Sequence, residues 1–283
     1  MTRPELTDRE FRLFSEWLSE EYGLCFGPAK RDILRSRLDA RRVALGMDSY
    51  EELYFHLKFH PEREEEKRRL LPHLTNNESY FFREQSQLDA LRDRVLREVK
   101  ESLAGTGREE VRILSAGSAS GEEPYTLAMV ARDSGVLRPP WKVRITGVDL
   151  DPEALARARA AEYGPNAFRR LHEADRDRNF EPAGPERWRL KRPIRSMVSF
   201  AQANLVSSGW WQSLPRQDVV FCRNVLIYFD QASITRAIDG LYDSLVPGGY
   251  LFLGHAETLS RVRTRFEPVR HPGVIYYRRP ADG

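Results

Sequence analysis

The sequence predicts an α/β protein: a small all-helical domain followed by a mostly parallel sheet with helices on both faces. The first seventy-odd residues show helical spacing without strand-like runs, whereas from about Val111 onward short apolar runs alternate with helical segments. A polar stretch between Tyr163 and Phe200, with Pro182-Ala-Gly-Pro185 inside it, interrupts that alternation and predicts a small hairpin-like β insertion.

In the helical part, Phe11, Phe14, Trp17 and Leu18 mark one buried face, and Ile33, Leu34, Leu38 and Leu45 another. Gly23, Gly27-Pro28 and Gly46 separate the helices, and Ser49 with Glu52 has the spacing of a capping box. Residues 61–69 carry mixed charges suited to a solvated helix or connector. Residues 30–42 hold six cationic side chains against two acidic ones, with Arg31, Arg35 and Arg42 on a similar side of a helix. A solvated face is the ordinary reading of that run. Docking onto an acidic partner helix is the functional one, and nucleic acid fits less well because no exposed aromatics interleave.

Strands are expected at 111–116, 143–148, 197–202, 219–222 and 250–254, and a last run at 274–278 follows a Pro-Gly break and suits an antiparallel return. At 283 residues the chain is long enough to bury a sizeable core. A net charge of +3 on a surface dense in both signs gives no global signature of nucleic-acid binding. Two distant cysteines, Cys25 and Cys222, and six scattered histidines argue against a disulfide framework and a metal site. No apolar signal core opens the sequence and no run has the length of a spanning helix, so a cytoplasmic location without membrane insertion is expected.

The most informative stretch is Ile113-Leu-Ser-Ala-Gly-Ser-Ala-Ser-Gly-Glu-Glu-Pro-Tyr125, which reads as a strand, a turn and a helix start. Gly117 and Gly121 permit a tight turn and close ligand approach, and Pro124 suits a first helical turn. A phosphate cradle uses bare N–H groups and usually a cation, whereas Glu122 and Glu123 would repel a pyrophosphate. A ligand joining adenosine to positive charge fits better, and S-adenosylmethionine carries both a sulfonium and an ammonium. Ser120 and Glu123 also have capping-box spacing, which leaves a cap as the competing role.

At the end of the next strand Asp149 is placed to take both hydroxyls of a ribose; helix capping is the alternative, and Asp151 before Pro152 is better placed for that. Asn204-Leu205 follows the strand at 197–202, where an amide and a backbone group can read an adenine edge, with a plain turn former as the alternative. In Phe221-Cys-Arg-Asn-Val-Leu-Ile-Tyr-Phe229, the polar groups of Arg223, Asn224 and Tyr228 lie among apolar neighbours and need partners. Cys222 reads as a small buried residue rather than a nucleophile, and His255 as structural. Asn76-Asn-Glu-Ser-Tyr-Phe-Phe-Arg83 lies at the domain junction and is expected to form a lid whose aromatics shield the reaction centre while Arg83 holds an anion; a core helix is the alternative for Tyr80, Phe81 and Phe82 but would not need Asn77, Ser79 and Arg83.

Together these residues resemble the chemotaxis receptor methyltransferases of the CheR type, which form glutamyl methyl esters. Asn77-Glu-Ser-Tyr-Phe-Phe-Arg83 is similar to that family's Asn-x-Thr-x-Phe-Phe-Arg, and Gly121-Glu-Glu-Pro-Tyr125 to its Gly-Glu-Glu-Pro-Tyr. Cys222-Arg-Asn-Val-Leu-Ile-Tyr-Phe229 and Gly254-His-Ala-Glu257 are further matches, and the likeness covers nearly the whole chain. It implies a Rossmann-like class I methyltransferase: a doubly wound sheet with a final antiparallel strand, a small all-helical N-terminal domain and a small β insertion. Residues 1–75 would be the receptor-docking domain and 76–283 the methyltransferase domain, with a linker at 76–110 and a β subdomain near 176–200. In some members that subdomain binds a short receptor tail peptide.

The resemblance also implies that Asn77, Ser79, Arg83, Glu123, Asp149, Asn204, Leu205, Arg223 and Asn224, with Gly117 of the turn, surround S-adenosylmethionine. Arg83 and Tyr228 would face the transferred methyl group. The implied partners are cytoplasmic helices of methyl-accepting receptors, with the enzyme a monomer recruited to membrane receptor arrays and no nucleic acid bound. The turn departs from the family by reading Ala-Gly-Ser-Ala-Ser-Gly in place of a Cys-Ser-Thr-Gly stretch. Ser79 replaces the usual threonine, and Ala256 stands where serine is common. The expected reaction is in-line displacement by a carboxylate, leaving S-adenosylhomocysteine; a glutamate with pKa about 4.3 is already ionised and needs no general base. A nucleic-acid methyltransferase on the same fold is the second reading. Against it, the loop after the fourth strand reads Cys-Arg-Asn, not Asn/Asp-Pro-Pro-Tyr. A cofactor-binding sensor without turnover is the third.

Overall fold

The computed structural model describes residues 4–281. Thr7 opens α1 (Asp8–Tyr22) through a reciprocal capping box with Glu10, and Gly23 in the left-handed region closes it. α2 (Arg31–Ala44), α3 (Tyr50–Phe59) and α4 (Arg63–Leu74) follow, and the Ser49 hydroxyl caps α3 by accepting from the Glu52 N–H. Phe14, Trp17, Leu18, Leu34, Leu38, Tyr50, Leu53 and Leu57 are buried in one core, which is what makes these helices stable as a domain.

Three expectations for this domain are modified. Ile33 is half-exposed, because it lies about 100° round the helix from Leu34, which takes the core position. Residues 61–69 open α4 as a largely solvated helix, one of the two expected forms, except that Glu66 is buried and accepts two bonds from Arg41, at 2.5 and 3.0 Å. Arg42 is in line with Arg31 and Arg35 but is covered by α3, its guanidinium over the Tyr50 ring and bonded to Asp39.

Residues 75–84 lead to α5 (Gln85–Ala90), which continues through one π turn (Leu91–Val95) into α6 (Leu96–Ser102). Phe81 is fully buried against Tyr163, Phe168 and Phe180, with ring centroids 4.8 to 5.5 Å away. This aromatic anchors the linker in the core, as its competing reading had it though without a helix there, and does not take the shielding role.

The second part runs β1 (Glu110–Ala116), α7 (Glu122–Asp133), β2 (Lys142–Asp149), α8 (Pro152–Ala160), β3 (Glu162–Tyr163), α9 (Glu173–Asn179), β4 (Phe180–Gly184), β5 (Arg187–Leu190), α10 (Arg192–Arg195), β6 (Val198–Gln202), β7 (Gln217–Cys222), α11 (Gln231–Ser244), β8 (Leu245–Leu253), β9 (Glu267–His271) and β10 (Val274–Arg278). The main sheet has the order β6-β2-β1-β7-β8-β10-β9. Its first five members pair parallel and β10 returns antiparallel to β8. Two apolar clusters cover its faces. All six expected strands are present. β9 was not expected: its Glu267, Arg270 and His271 sit at a sheet edge and lack strand patterning, so the Pro272-Gly273 turn is its only signal.

β3, β5 and β4 form a separate antiparallel sheet spanning residues 162–190, which starts before the expected 176–200 stretch. Its first strand has two residues, too few for any periodicity, and residues 198–202 return to the main sheet as β6. The Tyr163 hydroxyl donates to the Ser120 carbonyl at 2.9 Å, tying this small sheet to the glycine turn. In the main sheet the chain leaves β1 toward β2 on one side and meets β7 on the other. The crevice therefore opens above the C-terminal ends of β1 and β7, where an open α/β sheet binds its ligands.

Candidate active site

A cavity of about 280 Å³ lies at that crevice, closed by residues 74–80 and by the helical domain. Asn77, Ser79, Arg83, Gly117, Glu123, Asp149, Asn204, Leu205, Arg223, Asn224 and Tyr228 all line it. The fold thus brings to one place every site residue that the resemblance implied, and several of them already hold partners within the protein.

The glycine turn is built by backbone. The N–H groups of Gly117 and Ser118 both donate to the Val148 carbonyl, at 2.8 and 2.9 Å, which folds the turn against β2. Gly117 has φ +78°, and a Cβ there would overlap Val225 Cγ2. Replacing Gly117 by alanine is expected to raise the dissociation constant for S-adenosylmethionine by tenfold or more, about the effect of 1.4 kcal/mol; calorimetric titration checks it. The expected Ser120–Glu123 capping box does not form. Gly121 occupies the cap position, the Ser120 hydroxyl donates to Glu122, and Glu123 turns toward the cavity. Glu122 is buried, and burial pushes its carboxyl up, opposed by the Ser120 and Ser79 hydroxyls.

Glu123 accepts from Ser115 Oγ at 2.7 Å and from Arg223 Nε at 2.6 Å. Arg223, only 2% exposed in its side chain, also donates to the Arg83 carbonyl at 2.9 Å and lies 3.8 Å from Glu84. One guanidinium therefore stands between two carboxylates, of which Glu123 lines the cavity. Glu84 is a participant that sequence reasoning missed. Its signal was weak, a single acid after Arg83, and its left-handed φ of 59° is visible only in the fold. Ala119 and Asn224, both in the cavity lining, are also non-glycine residues at positive φ.

Asp149, buried at the end of β2, accepts from the Ala119 N–H at 2.8 Å and the Asp151 N–H at 2.9 Å. Burial pushes its carboxyl up, and those two N–H groups act in the opposite sense. Asp151 is the helix cap, accepting from the Glu153 and Ala154 N–H groups, and it also accepts from Asn77 Nδ2 at 2.6 Å. Asn77 thus fastens the linker to α8. Asn204 Nδ2 donates to the Glu21 carbonyl of α1 at 2.7 Å, so the amide that lines the cavity also joins the two domains. The Tyr228 hydroxyl accepts from Asn76 Nδ2 at 2.9 Å, and its carbonyl accepts from the Cys25 N–H at 2.8 Å.

The helical domain adds Lys30, Ile33 and Arg37 to the lining, none of them singled out as site residues. Arg37 lies over the Phe26 ring and donates to the Leu74 carbonyl; the only advance signal was the density of cations in residues 30–42. Arg83 lies 5.6 Å from the Tyr80 ring centroid and, among the described residues, pairs with no carboxylate. Cys222 is fully buried and burial pushes its thiol up, which leaves it unreactive.

The donor set fits S-adenosylmethionine. Glu123 supplies a carboxylate to the lining, Asp149 supplies an acceptor at the strand end, and Asn224 Oδ1 is a buried polar atom without a partner among the described residues. Comparison with known proteins agrees. The family described as CheR methyltransferase, SAM binding domain, matches residues 77–275, and CheR methyltransferase, all-alpha domain, matches residues 9–75. Chemotaxis protein methyltransferase 1 of Pseudomonas aeruginosa is 35% identical over 274 residues, covering 94% of this chain and 97% of that protein. Chemotaxis protein methyltransferase 2 of Vibrio cholerae is 32% identical over 278 residues, covering 98% and 95%. The chemotaxis protein methyltransferase of Escherichia coli K12 is 32% identical over 268 residues, covering 93% and 89%. The chain belongs to the CheR methyltransferase family, and its cofactor is S-adenosylmethionine.

Proposed function

We propose that this protein methylates glutamate side chains of methyl-accepting chemotaxis receptors, forming glutamyl methyl esters. The observation that carries this is the division of charge around one cavity. Glu123 and Asp149 bring carboxylates to one part of the lining, where Arg223 is bonded to Glu123, and suit a cationic, ribose-bearing cofactor, whereas Arg83, Lys30 and Arg37 offer cations to an anionic acceptor. Bound S-adenosylmethionine supplies an electrophilic methyl group on its sulfonium. Arg83 holds the acceptor carboxylate, Tyr228 shapes the wall beside it, and Glu123, which keeps free lone pairs beyond its two bonds, receives the cofactor's ammonium. The acceptor is already ionised, so alignment and exclusion of water carry the acceleration. Residues 1–75 serve as the receptor-docking domain of a cytoplasmic monomer recruited to receptor arrays. No helix among the described residues is long and apolar enough to cross a membrane.

Incubation with methyl-labelled cofactor and receptor-bearing membranes is expected to give label on receptor that base releases as methanol. Stable label in nucleic acid would overturn the carboxylate reading, and cofactor binding without any labelled acceptor would make the protein a sensor.

A further inference from the structure

Residues 224–229 follow β7 and bring Asn224, Val225 and Tyr228 to the cavity, yet this segment has almost no regular structure to hold it, a single short 3-10 turn at Leu226–Tyr228. Its first three N–H groups all point at one side chain. Glu257 Oε2 accepts from the Asn224 N–H at 2.8 Å and the Gly254 N–H at 2.7 Å, and Oε1 accepts from the N–H groups of Val225 and Leu226 at 2.9 and 2.7 Å. Asn224 takes φ 60° in forming this concavity of donors, an arrangement that selects a negative charge. Gly254 must lack a Cβ, which would fall 2.7 Å from Glu257 Oε2 and 2.9 Å from the Asn224 nitrogen. Glu257 itself does not line the cavity.

We propose that Glu257 is a positioning residue for methyl transfer, its carboxylate fixing the backbone of residues 224–226 and through it Val225 and Tyr228. Val225 packs over Gly117 of the glycine turn, and the Tyr228 N–H donates to the Val225 carbonyl at 3.1 Å. The far end of the segment is held by the helical domain, through the Cys25 N–H to the Tyr228 carbonyl and a bridge between Leu24 and Phe229. The wall that carries Tyr228 is thus suspended between a carboxylate in the catalytic domain and a short extended stretch in the helical one. A neutral amide cannot replace Glu257: it offers one acceptor oxygen, and its NH₂ would face N–H donors.

This role rests on the reading that Tyr228 borders the transferred methyl group, and the test separates the two. Glu257→Gln keeps the shape and removes the charge, while Glu257→Asp keeps the charge and shortens the reach. Positioning by the carboxylate predicts that Gln lowers kcat on receptor by on the order of 10²-fold, the cost of a misplaced reacting group, with Asp above Gln. The KM for S-adenosylmethionine should change far less than kcat in both. Hydrogen exchange of amides 224–226 is expected to accelerate in Gln and stay slow in Asp, a readout that needs no receptor. If wild type labels no receptor, the reading of Tyr228 fails and exchange alone decides the clamp. Gln turning over as well as Asp, or equal exchange in the two variants, overturns the proposal. Should Gln not fold, Asp decides: protected amides and kcat within about tenfold of wild type support the clamp, and a 10²-fold loss overturns it.

Discussion

Replacing Arg223 by methionine is expected to lower the unfolding free energy by about 3–5 kcal/mol, the usual cost of removing one partner from a buried ionic cluster. The Arg223 side chain is 2% exposed, and its partners Glu84 and Glu123 are 9% and 12% exposed, so neither carboxylate recovers full hydration when the guanidinium goes. Among the described residues Glu84 Oε2 lacks a hydrogen-bond partner, and Arg223 at 3.8 Å is the one cation that pairs with it. The same guanidinium bonds the Arg83 carbonyl, so the linker loosens with it. Urea titration of wild type and Arg223→Met at neutral pH gives the difference. Adding Glu84→Gln to the variant should recover part of the loss, since it removes one of the two orphaned charges. A loss under about 1 kcal/mol, the range of an exposed pair, would show that water reaches this cluster.

That cluster also marks where the sequence stops being legible. The glycine turn, the strands and the segment at 221–229 each announce themselves locally, through apolar runs, glycine and proline at fixed offsets, and polar residues stranded among apolar ones. Their ionic and hydrogen-bonded partners do not, because Arg223 meets Glu123 at a separation of 100 positions and Asn224 meets Glu257 at 33. The same holds at the domain junction. Asn204 is placed at the crevice by its position after a strand, but nothing local announces that its amide also bonds α1, 183 positions away. Phe81 looked like part of a lid because aromatic side chains before an arginine suit one, and only the packing of Phe168 and Phe180 around it makes it a core anchor. Local pattern therefore finds which residues reach the crevice, while tertiary pairing decides which atoms remain free to act there.

Arg83 is the residue for which that distinction matters most. Arg83→Ala is expected to reduce kcat/KM on receptor by on the order of 10²–10³-fold, the scale of losing one preorganised charged donor. Stability should stay within about 0.5 kcal/mol of wild type, as for a side chain outside the core network. The reason is what surrounds it. Arg83 is half-buried against Tyr80, but no carboxylate among the described residues depends on it. The neighbouring Arg169 lies over the same ring at 3.9 Å and pairs with Glu78 at 2.9 Å, so Tyr80 keeps a cationic neighbour after the change. A residue whose removal leaves the fold intact and the acceptor unheld should show its loss in turnover and acceptor KM, with cofactor affinity changed by much less. Arg83→Lys separates charge from geometry: a point charge restores part of the activity, and the remainder measures the two-pronged grip of a guanidinium on a carboxylate. Near-wild-type turnover in Arg83→Ala would remove this side chain from acceptor binding and leave Lys30 and Arg37 as the cations that meet the receptor glutamate.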